Sequence, residues 1–530
     1  MAIIQELGSM LPSNQSTLLL VALGFWVSYK LVVYLQRLYF HPLSHVPGPK
    51  LCAASRLYEF YWDSIQQGRL WAKLPELHAR YGPIIRLGPN EVHIQDAEYF
   101  DTLFGFRPLD KDAMAAKQFG MQHALFATED YKTYTRKRAA FGDAFSRSKT
   151  LRLVSLVHEQ VEKACKLIRE TAGRGGKVDL AYIFRATPAE VITQYLFGEK
   201  YGFLEDVATT KSLYDKRMDN LMGLTHLGRF IDYRIPLILS LLRQQFKKLV
   251  GYTEPGAAFM SYYFFASKQV SKVVEAHAHP EKSTLISTPY PIVFDDFLRS
   301  SLPASEKRGA PLTEQAMAVW SGGWDTVGST LTIAAHHALA NPRIASRLRD
   351  ELRRVWPSLS PSSSPPPTVR EMEAAPYLDG IVREALRFSP GQLCRLCRVA
   401  PAGGERYSGF VIPAGTTISM SLYDVGQDRS VWGDDAAEFR PERWIEDGEK
   451  KLDRYLVAFS KGARVCPGQE LAWVEIKIVL ATLFRRFRMR IPEEEGVTLE
   501  GDVAAYYDGI TLAPRSWAHR LPVRVEVEED

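Results

Sequence analysis

The chain has 530 residues, 46% of them hydrophobic, which is enough for one large domain or two to three ordinary ones with a sizeable core. Its 66 basic and 61 acidic side chains leave a net charge of only +5, and no stretch interleaves clustered basic and aromatic residues, so we expect no nucleic-acid partner. Five cysteines are few and odd in number, which argues against a disulfide framework and favours a reducing compartment. Cys394 and Cys397 have CxxC spacing, but no second ligand pair follows, so we interpret them as unrelated thiols.

The first predicted element is an apolar helix near the N-terminus. The run over residues 17–29 continues past Lys30 to Leu35, which gives about the 20 residues that a membrane-spanning helix requires. No small-residue cleavage site follows the run, and Glu6 is the only charged side chain before it, whereas basic residues lie within or after it. We therefore expect residues 1–40 to be an uncleaved, single-pass anchor with the rest of the chain in the cytosol. A signal peptide or a core helix is the alternative.

The remainder of the chain predicts one mainly helical domain with a small β portion over residues 51–530. Before it, HPLSHVPGPK (residues 41–50) contains three prolines, which predict a stiff, extended spacer. Helical patterns include residues 154–172 and 231–250, and PIIRLGPNEVHIQ (residues 83–95) is strand-like. The Pro/Ser-rich stretch at 357–368 predicts a surface loop, and short strands are expected within 397–420.

The central helical pattern, residues 312–340, ends before Pro342 and carries a cluster of glycines at its middle. Each glycine costs about 1 kcal/mol in a helix interior, so a purely structural helix should avoid them. The glycines are Gly322, Gly323 and Gly328, and Asp325 and Thr326 lie between the last two. A gap in the wall of the helix would explain the glycines, and a glycine-kinked core helix is the alternative.

A pair of opposite charges occurs in REALRF (residues 383–388). Glu384 and Arg387 are three residues apart, so a helix holds the carboxylate and the guanidinium on one face. By itself this spacing is typical of a surface salt bridge. It is followed by FRPERW (residues 439–444), which supplies a second arginine, Arg443.

The stretch FSKGARVCPGQELA (residues 459–472) places Cys466 among glycines and an arginine, just before a helical pattern. A thiolate is a soft anionic ligand that suits iron, and bound to a haem it favours O–O cleavage. Gly462 and Gly468 would allow tight turns that bring amide N–H groups near the sulfur, and Arg464 would match a haem propionate. The helix start after Cys466 would stabilise its anion. A buried, inert cysteine is the alternative.

These motifs together resemble the cytochrome P-450 superfamily. Phe459, Gly462, Arg464, Cys466 and Gly468 match the haem-binding pattern FxxGxRxCxG at all five positions. Other segments, such as HPLSHVPGPK and HARYGPIIRLGPNEVHIQD, are similar to fungal secondary-metabolite enzymes of the trichodiene-oxygenase type. The resemblance spans nearly the whole chain. It implies the cytochrome P-450 fold after the N-terminal transmembrane helix, haem b (iron protoporphyrin IX) as cofactor, and Cys466 as the iron ligand.

The resemblance also implies roles for the other motifs. Glu384, Arg387 and Arg443 resemble the Glu-Arg-Arg network behind the haem, which serves folding and haem retention. GGWDT resembles the oxygen-activation motif, which makes Asp325 and Thr326 the expected catalytic residues for proton delivery.

Further haem-propionate contacts are implied by the same resemblance. YKTYTRKRAAFGDAF (residues 131–145) aligns with a family helix that carries an aromatic residue and an arginine four apart, here Tyr134 and Arg138, although related fungal enzymes commonly have histidine at the first position. Arg398 resembles another propionate arginine, with a surface role as the alternative. The chain also has Val425 and Gly426 where those relatives usually carry a Met-His pair.

The function implied is that of a monooxygenase in the endoplasmic reticulum membrane, in contact with membrane lipid. It would cleave dioxygen with electrons from NADPH, supplied by a separate NADPH–cytochrome P-450 reductase, and hydroxylate or epoxidise a small apolar terpenoid or polyketide intermediate. The segments expected to line the pocket are residues 119–126, 221–230, 391–393 and 506–512, which are largely apolar and aromatic. The basic residues available to meet an acidic reductase are Lys132, Arg136, Lys137, Lys477, Arg485 and Arg486, with ordinary solvated surface positions as the alternative.

Two other functions fit a haem-thiolate protein. One is an isomerase or dehydratase that rearranges a peroxide and needs no reductase, and the other is a haem-carrying binding or sensor protein. Asp325 and Thr326 favour the monooxygenase, because proton delivery to bound oxygen is needed only there.

Overall fold

The computed structural model describes residues 15–66, 68–117, 120–207, 230, 255–279, 288–360, 365–389, 391–493, 506–509, 511–514 and 521–527. Within these residues the protein is mainly helical with small sheets, as the sequence predicts. The helical pattern predicted at 231–250 lies outside the described residues.

The α-helices of the described chain are, in order, α1 (Gln15–Leu35), α2 (Lys50–Ala54), α3 (Leu57–Phe60), α4 (Leu70–Tyr81), α5 (Phe100–Phe104), α6 (Ala113–Lys117), α7 (Tyr131–Ala140), α8 (Arg147–Arg152), α9 (Val154–Gly173), α10 (Leu180–Phe197), α11 (Pro255–Ala278), α12 (Val293–Arg299), α13 (Gly309–Ala340), α14 (Pro342–Val355), α15 (Val369–Glu373), α16 (Pro376–Phe388), α17 (Leu422–Gly426), α18 (Arg429–Trp432), α19 (Glu442–Glu446) and α20 (Gln469–Arg486). Short π-helical segments occur at Gln36–Phe40 and Tyr61–Ile65, and 3₁₀ turns occur at Leu125–Ala127, Ala304–Lys307, Lys451–Tyr455 and Gly462–Arg464.

The strands are β1 (Ile84–Gly88), β2 (Glu91–Ile94), β3 (Val178–Asp179), β4 (Leu396–Val399), β5 (Glu405–Tyr407), β6 (Phe410–Ile412), β7 (Thr417–Met420), β8 (Phe487–Arg490), β9 (Tyr506–Gly509), β10 (Thr511–Pro514) and β11 (Pro522–Val527). The main sheet has the order β1-β2-β7-β4, in which only β2 and β7 are parallel. In its last pair, Arg398 of β4 lies opposite Ile418 of β7. The smaller sheets are β3-β11-β8, β5-β6 and β9-β10.

The longest helix, α13, has 32 residues and packs against α10, α11, α16 and α20. At 1.5 Å per residue it extends for about 48 Å. Pro311 lies in its first turn, where a missing N–H costs no helical hydrogen bond. The helix ends at Ala340, as predicted, because Asn341 caps the next helix by accepting from the Arg343 N–H at 3.1 Å.

The helical core and the sheet have separate sets of buried hydrophobic residues. Every residue of α10 is buried, so this helix is surrounded by protein on all sides. The sheet core includes Leu43 and Val46 from the proline-rich segment 41–50. That segment also binds β1 directly, because the Arg86 N–H donates to the Pro47 carbonyl at 2.7 Å. It therefore packs against the main sheet.

The N-terminal apolar run forms a helix, α1, as the sequence predicts. Arg86 Nη1 donates to the Arg37 carbonyl at 2.8 Å, and Arg37 Nη1 donates to the Ala54 carbonyl at 3.0 Å. These bonds attach the chain after α1 to the domain. In the described part of the protein, no helix is both long enough and apolar enough to cross a membrane.

Candidate active site

The candidate site is built around Cys466, which lies between the 3₁₀ turn Gly462–Arg464 and the start of α20. The Cys466 N–H donates to the Phe459 carbonyl at 2.9 Å, which closes the loop on itself. Gly462 has φ 62°, and a Cβ there would overlap the Gly105 carbonyl, so only glycine fits. Gly468 has φ −84° and no heavy atom within 4 Å of an added Cβ, so backbone strain does not explain that glycine.

Cys466 differs from the other four cysteines, because its side chain is exposed while theirs are buried. Protein nevertheless surrounds the sulfur closely enough for burial to raise the pKa of the thiol, and a hydrogen bond from the Gly468 N–H and the charge of Arg138 oppose that rise. The sulfur therefore faces an accessible space inside the protein. The amide N–H predicted near the sulfur belongs to Gly468.

Arg464 lies beside this sulfur-bearing loop and contacts α7. Its guanidinium lies over the Tyr134 ring, 4.2 Å from the centroid. Its terminal nitrogens donate to the carbonyls of Thr128 and Glu129, both at 2.8 Å, and its buried Nε has no partner within the described residues. The structure thus brings Tyr134 and Arg464 into contact.

Arg398 approaches the same place from β4. It is buried, and its guanidinium lies 4.7 Å from the centroid of the Phe104 ring. Its Nη1 donates to the neighbouring Cys397 carbonyl at 3.0 Å, the one hydrogen bond of its side chain among the described residues. Burial and the charge of Arg464 lower the pKa of Arg398 to about 10. The alternative of a surface role for Arg398 is therefore wrong.

These residues fit an anionic cofactor. Within the described chain, Arg138, Arg398 and Arg464 make no ion pair with a carboxylate. Burying cations without a counter-charge is costly, so the cluster is suited to receive anionic groups such as haem propionates. The accessible thiol of Cys466 adds a soft donor suited to iron.

Glu384 and Arg387 on α16 form a buried network with Arg443 on α19. Glu384 Oε1 accepts from Arg387 Nη2 at 2.8 Å and from Arg443 Nε at 3.0 Å. Its other oxygen accepts from Arg387 Nε at 3.0 Å and from Trp444 Nε1 at 2.9 Å. All three charged side chains are buried, so the alternative of an ordinary surface salt bridge is wrong.

The glycines of α13 serve different purposes. A Cβ at Gly323 would lie 2.7 Å from Ile192, and one at Gly328 would overlap the Arg185 side chain, so both glycines let α13 approach α10 closely. Gly322 is exposed, and an added Cβ there would meet no heavy atom within 4 Å. Only Gly322 among these three therefore matches the predicted gap in the helix wall.

Asp325 and Thr326 face different neighbours, although they are adjacent in α13. Asp325 Oδ1 accepts from Arg185 Nε on α10 at 2.9 Å. The Thr326 hydroxyl donates to the Gly322 carbonyl at 2.8 Å, and the Thr326 side chain lies 4.0 Å from a Cβ position at Gly391. Thr326 thus lies beside the open side of the helix, whereas Asp325 is held against α10.

The predicted pocket segments are described only in part. Gly391, with φ 73°, brings its segment next to Thr326, and Leu393 is buried beyond it. Residue 119, residues 221–229 and the side chains of 506–512 lie outside the described residues.

Sequence reasoning missed Arg185, the partner of Asp325. The signal was an isolated arginine in the apolar run LAYIFRATPAEVITQYLF, since a buried charge requires a partner.

Most of the basic side chains expected to meet a reductase are buried or already paired with other residues of this protein. Lys137, Lys477 and Arg485 are buried, and Arg486 pairs with Glu162 at 2.7 Å. Lys137 pairs with Glu306 at 3.2 Å, and Lys477 pairs with Asp379 at 2.6 Å. Arg485 donates to the Trp356 carbonyl at 2.7 Å. Lys132 and Arg136 remain exposed on α7.

The departure at Gly426 has a packing explanation. Arg387 Nη1 donates to the Gly426 carbonyl at 2.6 Å, and a Cβ at Gly426 would lie 2.7 Å from the Arg387 carbonyl oxygen. Gly426 therefore lets α17 approach the end of α16 more closely than any side chain would.

Comparison with known proteins identifies the family. The model of the family described as cytochrome P450 matches residues 57–503. The chain belongs to the cytochrome P-450 family. It is an enzyme of the monooxygenase type with the P-450 fold, and the family implies a haem-thiolate cofactor.

Curated fungal relatives match nearly the whole chain. Cytochrome P-450 monooxygenase MO6277 of Ascocoryne sarcoides is 34% identical over 491 residues, covering 90% of this chain and 92% of the relative. Cytochrome P-450 monooxygenase sdnE of Sordaria araneosa is 32% identical over 513 residues, covering 94% and 96%. N-acetyltryptophan 6-hydroxylase ivoC of Emericella nidulans is 33% identical over 505 residues, covering 94% and 95%.

Proposed function

We propose that this P-450 enzyme hydroxylates or epoxidises a small apolar secondary metabolite, using dioxygen and NADPH-derived electrons that a separate reductase supplies. The observation that carries the proposal is the accessible Cys466 thiol at the end of the FxxGxRxCxG loop, beside arginines that lack carboxylate partners among the described residues. Fungal relatives named as monooxygenases support the reaction class.

The residues that would hold haem b are Cys466, Arg138, Arg398, Arg464 and Tyr134. Cys466 would bind the iron, and the Gly468 N–H would stabilise the negative charge on its sulfur. The three arginines would bind the propionates, and the Tyr134 hydroxyl would donate a hydrogen bond to them. When bound, the haem supplies the activation of dioxygen.

The chain itself would control protons and substrate position. Thr326 Oγ1 donates its proton to the Gly322 carbonyl, so its lone pairs are free to accept a hydrogen bond from a proton-carrying water on the open side of α13. Asp325 would take part in proton delivery, with Arg185 holding its carboxylate in place. Gly322, which has no side chain, leaves room beside Thr326 for a substrate. Leu393 would contribute an apolar wall.

Attachment to a membrane is part of the proposal. Large hydrophobic side chains of α1 are exposed, which is costly in water and favourable in lipid. They include Leu20, Leu23, Phe25, Trp26, Tyr29 and Val32, each more than half exposed. We expect the full chain to sediment with endoplasmic reticulum membranes and a variant lacking residues 1–40 to lose most of that association. Equal membrane recovery of the two proteins would remove the anchor from the proposal.

The reaction class is tested with purified enzyme, reductase and NADPH, using metabolites of the producing organism as candidate substrates. A monooxygenase requires reductase and NADPH to form an oxygenated product, whereas an isomerase or dehydratase converts its peroxide substrate without them. A haem-carrying sensor would form no product in either assay.

Cys466→Ser tests the iron ligand. The variant should lose the thiolate signature of the reduced carbonyl spectrum, because a serine hydroxyl is a poor, harder ligand for haem iron. Cys394→Ser is the matched control, since Cys394 is buried in a different segment, and it should keep that signature. Survival of the signature in Cys466→Ser would show that the proposed ligand is wrong.

A further inference from the structure

Gln315 lies in the first half of α13, three turns before Thr326, and only 3% of the residue is exposed. Its Oε1 accepts from the Leu125 N–H at 2.7 Å. Leu125 belongs to one of the segments that the sequence predicts as pocket wall, and it is itself buried. Gln315 therefore connects the central helix to that segment.

The hydrogen bond to Leu125 fixes the orientation of the Gln315 carboxamide. A backbone N–H can bond only to the amide oxygen, so the NH₂ group of the same side chain points in another direction. Gln315 Nε2 makes no hydrogen bond to any described residue, and the surrounding protein does not enclose it completely. Two N–H donors are therefore held in a set direction and left available to a ligand.

Helix geometry places Gln315 on the open side of α13. At 3.6 residues per turn, the positions seven and eleven residues later each lie about 20° from Gln315 around the helix axis. These positions are Gly322 and Thr326, and Gly322 is the exposed glycine that leaves space beside Thr326. At 1.5 Å per residue, Gln315 is about 10 Å from Gly322 and about 16 Å from Thr326 along the axis. The three residues form one stripe.

The stripe is apolar between its two ends. Val319 lies between Gln315 and Gly322, about 40° from Gln315 around the axis, and is partly buried. The neighbouring carboxylate, Glu314, lies about 100° from Gln315 and accepts from the His123 N–H at 2.8 Å. A ligand that extends along the stripe from Gly322 would therefore meet an apolar side chain first and the Gln315 amide after it.

We propose that Gln315 is a substrate-binding residue, whose amide donates a hydrogen bond to a carbonyl or ether oxygen of an otherwise apolar substrate. The inference rests on the function proposed above and narrows its substrate class. The oxygen should lie about 10–16 Å from the carbon that is oxidised, because that length of α13 separates Gln315 from Gly322 and Thr326. A skeleton without the oxygen would displace water from the amide without replacing its hydrogen bond, and should bind less tightly.

The test uses 1-alkylimidazoles, whose imidazole binds the haem iron of the purified holoenzyme while the alkyl chain extends into the pocket. At each of several chain lengths, one ligand carries a ketone near the far end of the chain and its partner is the plain hydrocarbon. Spectral titration gives the dissociation constants of both. At the length that reaches Gln315, the wild type should prefer the ketone by about 2- to 10-fold, as expected for one neutral hydrogen bond.

Gln315→Glu keeps an oxygen for the Leu125 N–H but deletes the amide donors. At about pH 8, where a carboxyl is ionised, this variant should lose the preference for the ketone. Gln66→Glu is the matched control, since Gln66 is a partly exposed glutamine that donates to the Tyr61 hydroxyl at 3.1 Å, and it should keep the preference. Gln315→Met, which also lacks the donors, replaces Gln315→Glu if the latter does not fold.

Two results would overturn the role of Gln315. One is a ketone preference that survives in the Gln315 variant, and the other is a wild type that binds ketone and hydrocarbon equally at every chain length. A wild type whose haem spectrum does not respond to any of the imidazoles would instead overturn the proposed haem site itself.

Discussion

Arg185 Nε donates to Asp325 Oδ1 at 2.9 Å and so joins α10 to the middle of α13. The pair is shielded from water, with 4% of the Arg185 side chain and 13% of the Asp325 side chain exposed. Gly328 lies one turn after Asp325 and leaves the space that the Arg185 side chain occupies. In the WDTVG sequence, Asp325 therefore binds an arginine of the neighbouring helix and Gly328 makes room for it.

Asp325→Asn should lower the free energy of unfolding by about 3–5 kcal/mol, because it removes the carboxylate charge that pairs with the buried Arg185 guanidinium. Urea unfolding followed by circular dichroism measures the change. Arg185→Met combined with Asp325→Asn should recover part of the loss, since neither charge of the pair is then buried, and a double-mutant cycle gives the coupling. Wild-type stability of Asp325→Asn would mean that the ion pair is not needed for folding.

Gly328→Ala and Gly322→Ala form a matched pair on one helix. An added methyl at Gly328 would overlap Arg185, so Gly328→Ala should destabilise the protein by about 1–3 kcal/mol. At Gly322 the methyl meets no heavy atom within 4 Å, and alanine is the better helix former, so that variant should be at least as stable as the wild type. Gly322→Ala should instead weaken substrate binding, measured by spectral titration. A reversed order of stabilities would refute the packing role of Gly328.

Thr326→Ala should keep the haem spectrum and substrate binding and continue to consume NADPH, but release hydrogen peroxide in place of oxygenated product. Positioned proton transfer is worth about 10² to 10⁴ in rate, so the loss of product should be plain. Thr326→Val keeps the branched shape and deletes the hydroxyl, and it should behave in the same way. NADPH consumption tightly coupled to product in both variants would show that protons arrive by another route.

Glu384→Ala or Arg443→Ala should yield little haem-loaded protein. Each removes one partner from a buried network, which costs about 3–5 kcal/mol because the remaining charges lose their compensation. The ratio of haem to protein absorbance after purification measures loading. Arg347→Ala is the control, since its ion pair with Glu442 is at the surface and its side chain is 56% exposed. Loading equal to the control in both variants would make the network dispensable for haem retention.

Short-range motifs were enough to predict the surroundings of Cys466 and the central helix. The loop from Phe459 to the start of α20 is a local structure, so residue identities at fixed spacing indicate where the sulfur, the turn glycine and the helix start must lie. Asn341 and Pro342 likewise mark the end of α13, because capping depends on adjacent residues. Glu384 and Arg387 are a single helical turn apart, and their pairing follows from helix geometry alone.

Only the tertiary structure decided which distant charges meet. Arg185 and Asp325 are 140 residues apart, and the approach of α10 to α13 brings them together. Packing likewise buries Lys477. From the sequence alone, this lysine fits a solvated position on the protein surface. Hydrophobic periodicity indicates which face of an element is buried, but the partner of a buried charge depends on how whole elements dock.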